Sequence, residues 1–411
     1  MESDLSSGPD FLIRMPLAMG LSLADHLHMQ LNPTYDAAIV GGGLAGLAAA
    51  IGLRKKGWSV VLFEKEKFPF HKVCGEYVSL ESWNFLESIG LPLSKMNLPI
   101  IDHLLLTAPN GKSFNTTLPQ GGFGISRYRL DSLLSGIAED HGVHLAVQTK
   151  VEDIHHENKF VVHSVDIHGK KTVTSARVCC NAFGKRSNLD IKWKRDFLQQ
   201  KDRRLENYVG IKYHVQTNWP QNLIGLHNFE NGYCGISKVE DERFCLCYMT
   251  RAENLKKSGN DIRKMEEQVL YQNPHLKKIF ISSDRCTDFP VTISQISFGK
   301  KTQIENHMLL LGDAAGMITP LCGNGMSIAL HTAKLATELV DRYLSSEIDL
   351  GTLEASYSKQ WKHHFAGRLQ TGRILQRFFG SNSLSNFFVQ SFRRFPFLAS
   401  PLIRMTHGCP F

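Results

Sequence analysis

Tyr35-Asp-Ala-Ala-Ile-Val-Gly41-Gly-Gly43-Leu-Ala-Gly46-Leu-Ala-Ala-Ala-Ile-Gly-Leu-Arg-Lys-Lys56-Gly57-Trp-Ser59-Val-Val-Leu-Phe63-Glu64 decides the fold. Asp36 to Val40 reads as a short apolar strand. The Ala/Leu-rich stretch after Gly46 reads as a helix to Lys56, with Gly57 placed to end it. Ser59 to Phe63 is a second strand, closed by Glu64. Gly41, Gly43 and Gly46 stand in GxGxxG spacing, and the acid follows 18 residues after the third glycine. Such a βαβ unit binds a dinucleotide. Gly41 allows the tight turn, Gly43 lets the backbone approach a pyrophosphate, and Gly46 lets the helix lie close to its strand. The helix start, with Ala45 in its first turn, offers N–H groups and a partial positive charge to phosphates. Glu64, followed by Lys65, is placed to accept hydrogen bonds from an adenosine ribose, which disfavours a 2′-phosphate there.

The chain returns to this pattern far downstream. Met308-Leu-Leu-Leu-Gly312 is a buried strand. Asp313-Ala-Ala-Gly316 follows, and Pro320 to Gly323-Asn324-Gly325-Met326 opens a helix running to about Leu344. A carboxylate just after a strand-ending glycine sits at the carboxyl edge of the sheet, where such folds bind ligands. Asp313 is placed to accept hydrogen bonds from ribityl hydroxyls. The turn after Pro320 aims a helix N-terminus at the N1/C2=O edge of an isoalloxazine ring, where negative charge develops on reduction. Taken together, the two segments predict one bound FAD.

Gly41 to Gly46, Glu64, and Gly312 through Gly316 and Pro320 to Gly325 resemble the three FAD motifs of group A flavoprotein monooxygenases and geranylgeranyl reductases. These families share the para-hydroxybenzoate hydroxylase fold. The resemblance covers roughly Tyr35 to Leu344. It implies that Arg127 opens a helix on the flavin side. It also implies that Lys72-Val-Cys74-Gly75-Glu76 is the loop that reductase-like members place near the flavin ring. Two departures stand out. Where group A hydroxylases carry Asp-Gly followed by Ser and a terminal Arg, this chain has Ala182-Phe183-Gly184-Lys-Arg-Ser187-Asn-Leu-Asp190. Gly184 is expected at the cofactor, but Phe183 replaces the aspartate and Asp190 stands at the arginine position. NAD(P)H therefore stays open as the electron donor. The Tyr-x-Trp-x-Phe-Pro pattern of prenyl reductases is only echoed by Tyr233-Cys-Gly235-Ile-Ser. The Trp-x-Trp-x-Ile-Pro signature of flavin halogenases is absent, as is a second GxGxxG.

At 411 residues, with 42% hydrophobic and 21% charged side chains, the chain exceeds what one core usually serves. The expected fold is α/β. A Rossmann-like FAD-binding domain (34–80, 125–190, 300–345) interleaves with a β-sheet substrate domain (81–124, 191–299). An N-terminal extension, 1–33, is expected to be disordered, and 346–411 forms a basic, Phe-rich helical C-terminal region. Nine cysteines without a CxxC pair exclude a disulfide framework or zinc site and favour a reducing, cytoplasmic setting. No metal is expected. No run of 18 apolar residues spans a membrane, and the first 30 residues lack a signal-peptide layout. The +8 net charge sits in the tail: residues 355–411 hold eight Lys or Arg, no Asp or Glu, and nine of the 24 phenylalanines. One reading packs those rings on the body with Arg facing water. The other is peripheral contact with a membrane surface or an anionic partner. Nothing suggests nucleic acid.

His71, Lys72 and Cys74 are the titratable residues expected to face the ring. His71 is a candidate acid or base, against a loop histidine bonded to backbone. Cys74 is a candidate proton donor, against a small packing residue. Glu76 reads as structural, and His331 as a core or surface histidine. Tyr208, Tyr213, Tyr233, Phe244 and Tyr248, mixed with aliphatics, suit either a hydrophobic ligand or an ordinary sheet core. The leading functional expectation is an FAD monooxygenase. It would hydroxylate a hydrophobic aromatic, polyketide or isoprenoid substrate, carrier-bound or membrane-dissolved, through a flavin C4a-hydroperoxide. The first alternative is a flavin-dependent C=C reductase of the geranylgeranyl reductase type. The second is a non-catalytic flavin-binding module at a membrane surface.

Overall fold

The computed structural model describes residues 33–198, 207–319, 323–378 and 381–411. The expectations for the N-terminal extension and for Pro320 fall outside these residues. The chain runs β1 (Thr34–Val40), α1 (Leu44–Lys55), β2 (Val60–Phe63), β3 (Tyr77–Ser79), α2 (Trp83–Ser88), β4 (Ile100–Thr107), β5 (Ser113–Gly124) and α3 (Arg127–Asp140). A meander follows: β6 (His144–Ala146), β7 (Thr149–His156), β8 (Phe160–Asp166) and β9 (Lys171–Asn181), then α4 (Asn188–Lys192). Next come β10 (Tyr208–Gln216), β11 (Leu223–Phe229), β12 (Gly232–Lys238), β13 (Phe244–Arg251), α5 (Ala252–Lys257), α6 (Ile262–Gln268) and α7 (Pro274–Ser282). The chain closes with β14 (Asp284–Arg285), β15 (Val291–Ile296), β16 (Ile304–Glu305), β17 (Met308–Leu310), α8 (Gly325–Leu344), α9 (Leu350–Phe378), α10 (Asn382–Arg394) and α11 (Ala399–Thr406).

Two sheets form, and the chain crosses between them repeatedly. In the first the order is β16-β17-β9-β1-β2-β6, with β7 and β8 folded back beside β9. β17, β9, β1, β2 and β6 are parallel. Side chains alternate across a strand, so a parallel strand covered on both faces must be apolar throughout. β1 obeys this. Ala37 and Ile39 bury against α1 and α8, while Ala38 and Val40 bury against the β7–β8 side. The second sheet runs β14-β10-β13-β12-β11-β4-β5-β3, with β15 on β10.

The second sheet explains the aromatic residues. Its outer face packs under α6 and α7, where Tyr213, Phe244 and Tyr248 bury their rings. The hydroxyls of Tyr213 and Tyr248 donate to Glu266 Oε1 at 2.8 and 2.7 Å. For these three the sheet-core reading holds. Tyr208 and Tyr233 face the inner cluster instead, with Tyr233 at a cavity wall. The C-terminal helices are integral to the body. Tyr357 and Phe365 of α9 are fully buried, and the Tyr357 hydroxyl donates to the Leu310 carbonyl at 2.7 Å. Phe392 of α10 packs on Phe114 of β5. Among the described residues no helix is long and apolar enough to cross a membrane. The architecture is thus α/β, with two interleaved sheets and a helical C-terminal region.

Candidate active site

A cavity of about 960 Å³ opens along the carboxyl edge of the first sheet and continues between the two sheets. Three glycines of the first turn meet it differently. Gly41 has φ +108°, and a Cβ there would lie 2.4 Å from the Ala182 carbonyl oxygen. A Cβ on Gly46 would lie 1.9 Å from the Gly41 oxygen. Both glycines are therefore required by the protein's own packing. Gly43 is different: the nearest atom to its missing Cβ is Arg127 Nη2 at 3.9 Å, and the rest is open cavity. The bare backbone at Gly43 faces space that the protein does not fill, as it must where a pyrophosphate approaches the first N–H groups of α1.

Two cations stand beside that space. Arg127 makes a two-pronged contact with Asp131 at 2.8 Å through each nitrogen, and Lys72 Nζ reaches the same carboxylate at 2.9 Å. Asp131 is fully buried. Burial alone would raise its pKa, but the Arg127 and Lys72 charges hold it below the usual carboxylate range. The pair is thereby locked in place, with charge left over for an anion. Glu64 Oε2 accepts the Gly42 N–H at 2.8 Å and Oε1 accepts the Glu66 N–H, which ties the end of β2 to the glycine turn. A carboxylate with two such bonds keeps further lone pairs for a ribose.

Of the other expected cofactor residues, Ala45, Lys65, Cys74, Gly184, Gly312, Asp313, Gly323, Gly325 and Met326 line the cavity, as do Gly41, Gly43, Glu64, Lys72 and Arg127. Gly46 sits behind the wall, in its packing role. Asn324 also departs from the expected set. It is fully buried, and its Nδ2 donates to the Thr406 carbonyl at 2.6 Å, away from the lining. It couples the turn before α8 to the C-terminal segment. Gly323, at φ +68°, leaves 3.1 Å between its absent Cβ and the Tyr77 ring.

His71 and Cys74 both line the cavity. His71 is exposed and stacks on Tyr128 with ring centroids 4.6 Å apart. Partial burial and the Lys212 charge push its pKa below the ordinary value. Cys74 Sγ accepts the Glu76 N–H at 3.5 Å, and the Cys74 carbonyl accepts the Cys245 thiol at 3.2 Å.

Beneath this loop lies a cluster that sequence reasoning did not find. Glu76 is fully buried with φ +55°, a left-handed conformation rare for a non-glycine residue. Its carboxylate accepts from Lys212 Nζ at 2.7 Å, His214 Nε2 at 2.5 Å and the Arg127 N–H at 2.9 Å. Burial would raise its pKa, but the His214 hydrogen bond and the Lys212 charge bring it down to about 2. So many bonds on one carboxylate over-determine the loop and keep the strained backbone in place. The available signal was Lys212 and His214 at alternate positions of an otherwise apolar β10, both pointing to the inner face.

The segment from Phe183 to Asp190 shows a substitution in kind. Asp190 caps α4 in a capping box with Ser187, and Arg195 supplies a buried cation to it at 2.8 Å. Arg195 also donates to the Ala314 carbonyl at 3.1 Å, so it braces the Gly-Asp turn. Lys301 donates to the Asp313 carbonyl at 2.8 Å, and burial brings its pKa down to about 8.

Comparison with known proteins agrees with this cradle. Residues 34–346 match the family model described as an FAD binding domain. Conditioned medium factor receptor 1 of Dictyostelium discoideum is 25% identical over 377 residues, covering 84% of this chain and 71% of that protein. Digeranylgeranylglycerophospholipid reductase of Methanocaldococcus jannaschii is 23% identical, covering 85% of this chain and 88% of its own length. Among solved structures, a flavin-dependent brominase superposes with a TM-score of 0.74 at 20% identity, covering 92% of this chain and 94% of the other. With a family match across most of the chain, a glycine turn open to a pyrophosphate and an Asp313 turn facing it, this protein belongs to the FAD-binding-domain family and is an FAD-dependent oxidoreductase of the para-hydroxybenzoate hydroxylase fold.

Proposed function

We propose that this enzyme reduces carbon–carbon double bonds in a long apolar chain of isoprenoid type. The observation that carries this reading is the lining of the cavity. Past the Cys74 loop it continues into a chamber walled by Leu104, Leu118, Ile224, Phe388, Leu402 and Ile403. These aliphatic and aromatic side chains come from the second sheet and the C-terminal helices. A chamber lined this way suits a flexible hydrocarbon, which needs exclusion of water more than polar anchors. A phenol or polyketide ring would call for donors and acceptors to fix its orientation. The resemblance to a digeranylgeranylglycerophospholipid reductase supports the same choice. This reading places double-bond reduction ahead of the hydroxylation expected from the sequence.

FAD, when bound and reduced, supplies the hydride. The residues of this chain supply the rest. Arg127 and Lys72 would hold the anionic part of the cofactor, and Asp313 and the start of α8 would hold its flavin half. The apolar walls place the double bond and exclude water. The Cys74 thiol delivers a proton to the second carbon of the double bond, and the thiolate regains one from solvent by way of His71. The Glu76, Lys212 and His214 cluster holds that loop in position.

An anaerobic experiment tests the reading. Protein reduced by light or by NAD(P)H is mixed with a polyprenyl lipid under argon. Reoxidation of the flavin, with a product that has gained two hydrogens, is the expected result. Persistence of reduced flavin until oxygen is admitted, with a labelled oxygen atom in the product, would instead establish hydroxylation.

A further inference from the structure

The C-terminal helices carry apolar side chains on two sides. Their inner face, with Phe388, Phe392, Leu402 and Ile403, walls the chamber. The outer side of α10 and α11 is mixed: Leu384, Phe387, Phe397 and Met405 stand exposed among Asn382, Ser383, Gln390 and arginines, with no cover among the described residues. Arg393-Arg-Phe-Pro-Phe-Leu398 is six exposed residues in succession. Phe397 is 70% exposed, Phe387 on the outward arc of α10 is 72%, and Met405 of α11 is 56%. A helix on a water-facing surface normally turns polar residues outward. Here α10 buries Val389 and Phe392 and turns Leu384 and Phe387 out. The segment's own charges are of one sign: Arg393, Arg394 and Arg404 are exposed, and no acidic residue occurs between 355 and 411.

We propose that this outer face docks on an anionic lipid bilayer. Exposed Phe and Leu interleaved with Arg match the boundary between headgroups and acyl chains, with the rings below it and the guanidinium groups at the phosphates. A second copy of the chain fits less well, because a two-fold contact would set one arginine cluster against another. Docking brings the chamber within about one helix diameter, ~10 Å, of the lipid. An apolar-chain substrate then passes from bilayer to flavin without crossing water. This last step rests on the reductase reading; the docking itself does not.

The test uses the full-length flavin-loaded protein and vesicle flotation, with no substrate present. One vesicle set is phosphatidylcholine, the other phosphatidylcholine with about a third phosphatidylserine. The wild type is expected to float with the anionic vesicles and to release as salt rises. The Phe387→Ser/Phe397→Ser and Arg393→Glu/Arg394→Glu proteins are each expected to bind about tenfold or more weakly. Both should keep the flavin spectrum and melting temperature of the wild type. Failure of the wild type to bind, or undiminished binding by folded variants, would overturn the proposal. So would a wild-type dimer that the same substitutions dissociate, since the face would then be a contact between copies. None of these results depends on turnover, so the reductase reading stands or falls separately.

Discussion

A single methyl group separates the two kinds of glycine in the first turn. At Gly46 it would overlap the Gly41 oxygen, whereas at Gly43 it would enter open cavity. Gly46→Ala should therefore cost about 3 kcal/mol or more through overpacking. Gly43→Ala should melt within a few degrees of the wild type yet bind FAD about tenfold or more weakly. Thermal melts beside flavin titrations separate the two outcomes, and equal effects on both would refute the assignment of Gly43 to the pyrophosphate. Glu76 makes the second residue-scale prediction. Glu76→Gln leaves Lys212 buried without its counter-charge, which should cost about 3–5 kcal/mol. Adding Lys212→Met should recover much of that loss, because the stranded charge is gone. Urea unfolding of the two proteins checks this: a double variant no more stable than the single one would show that the pair does not act as a unit. The acid after β2, the glycine spacing and Asp313 were legible in sequence because each depends on neighbours a few residues away. The partners of Glu76 were not, since Lys212 lies 136 positions along the chain.

Strand β11 carries a titratable group in the core of the second sheet. His227 is fully buried, its Nδ1 is 2.9 Å from the Thr107 hydroxyl, and its ring stacks over His275. Burial, with His275 adding to it, lowers its pKa from 6.5 to about 3. The folded protein thus keeps His227 neutral down to about pH 3, while the unfolded chain takes up a proton below about pH 6.5. In that window the unfolded state holds more protons, so stability falls as pH falls, by about 1.4 kcal/mol per unit for this one group. Replacing His227 by Leu should flatten that part of the decline. Urea midpoints followed between about pH 6.5 and 4.5 measure it, and an unchanged slope would remove His227 from the account. The element-scale reading from sequence reached the strands and α1, because period-2 and period-3.6 patterns are local. It did not reach which face of the second sheet met the cavity. Tyr213 and Phe244 were as apolar as cavity residues, and only the packing of α6 and α7 shows that they face the other way.

Across the whole molecule, the C-terminal helices join stability to the substrate chamber. Phe392 is buried against Phe114 and Phe388 while it also lines the chamber. Phe392→Ala should cost about 3–4 kcal/mol and raise KM for an apolar substrate more than it lowers kcat. Denaturation and steady-state kinetics on the same preparation test both halves, and a pure kcat effect would place Phe392 outside the substrate's path. The same scale decides how the flavin turn is held: Asn324 reaches the Thr406 carbonyl, and Glu81 accepts from Arg368 and the Gly408 N–H, so α8 and the C-terminal segment are fastened together. From its sequence alone this protein was committed to a strand–glycine turn–helix cradle and a distant Gly-Asp turn, hence to FAD, because such motifs encode backbone geometry within a few residues. Tertiary structure alone decided the chamber, the buried Glu76 cluster and the two-faced tail. Those depend on which surfaces of remote segments meet, and composition constrains that only weakly: an apolar residue packs as well against a core as around a ligand.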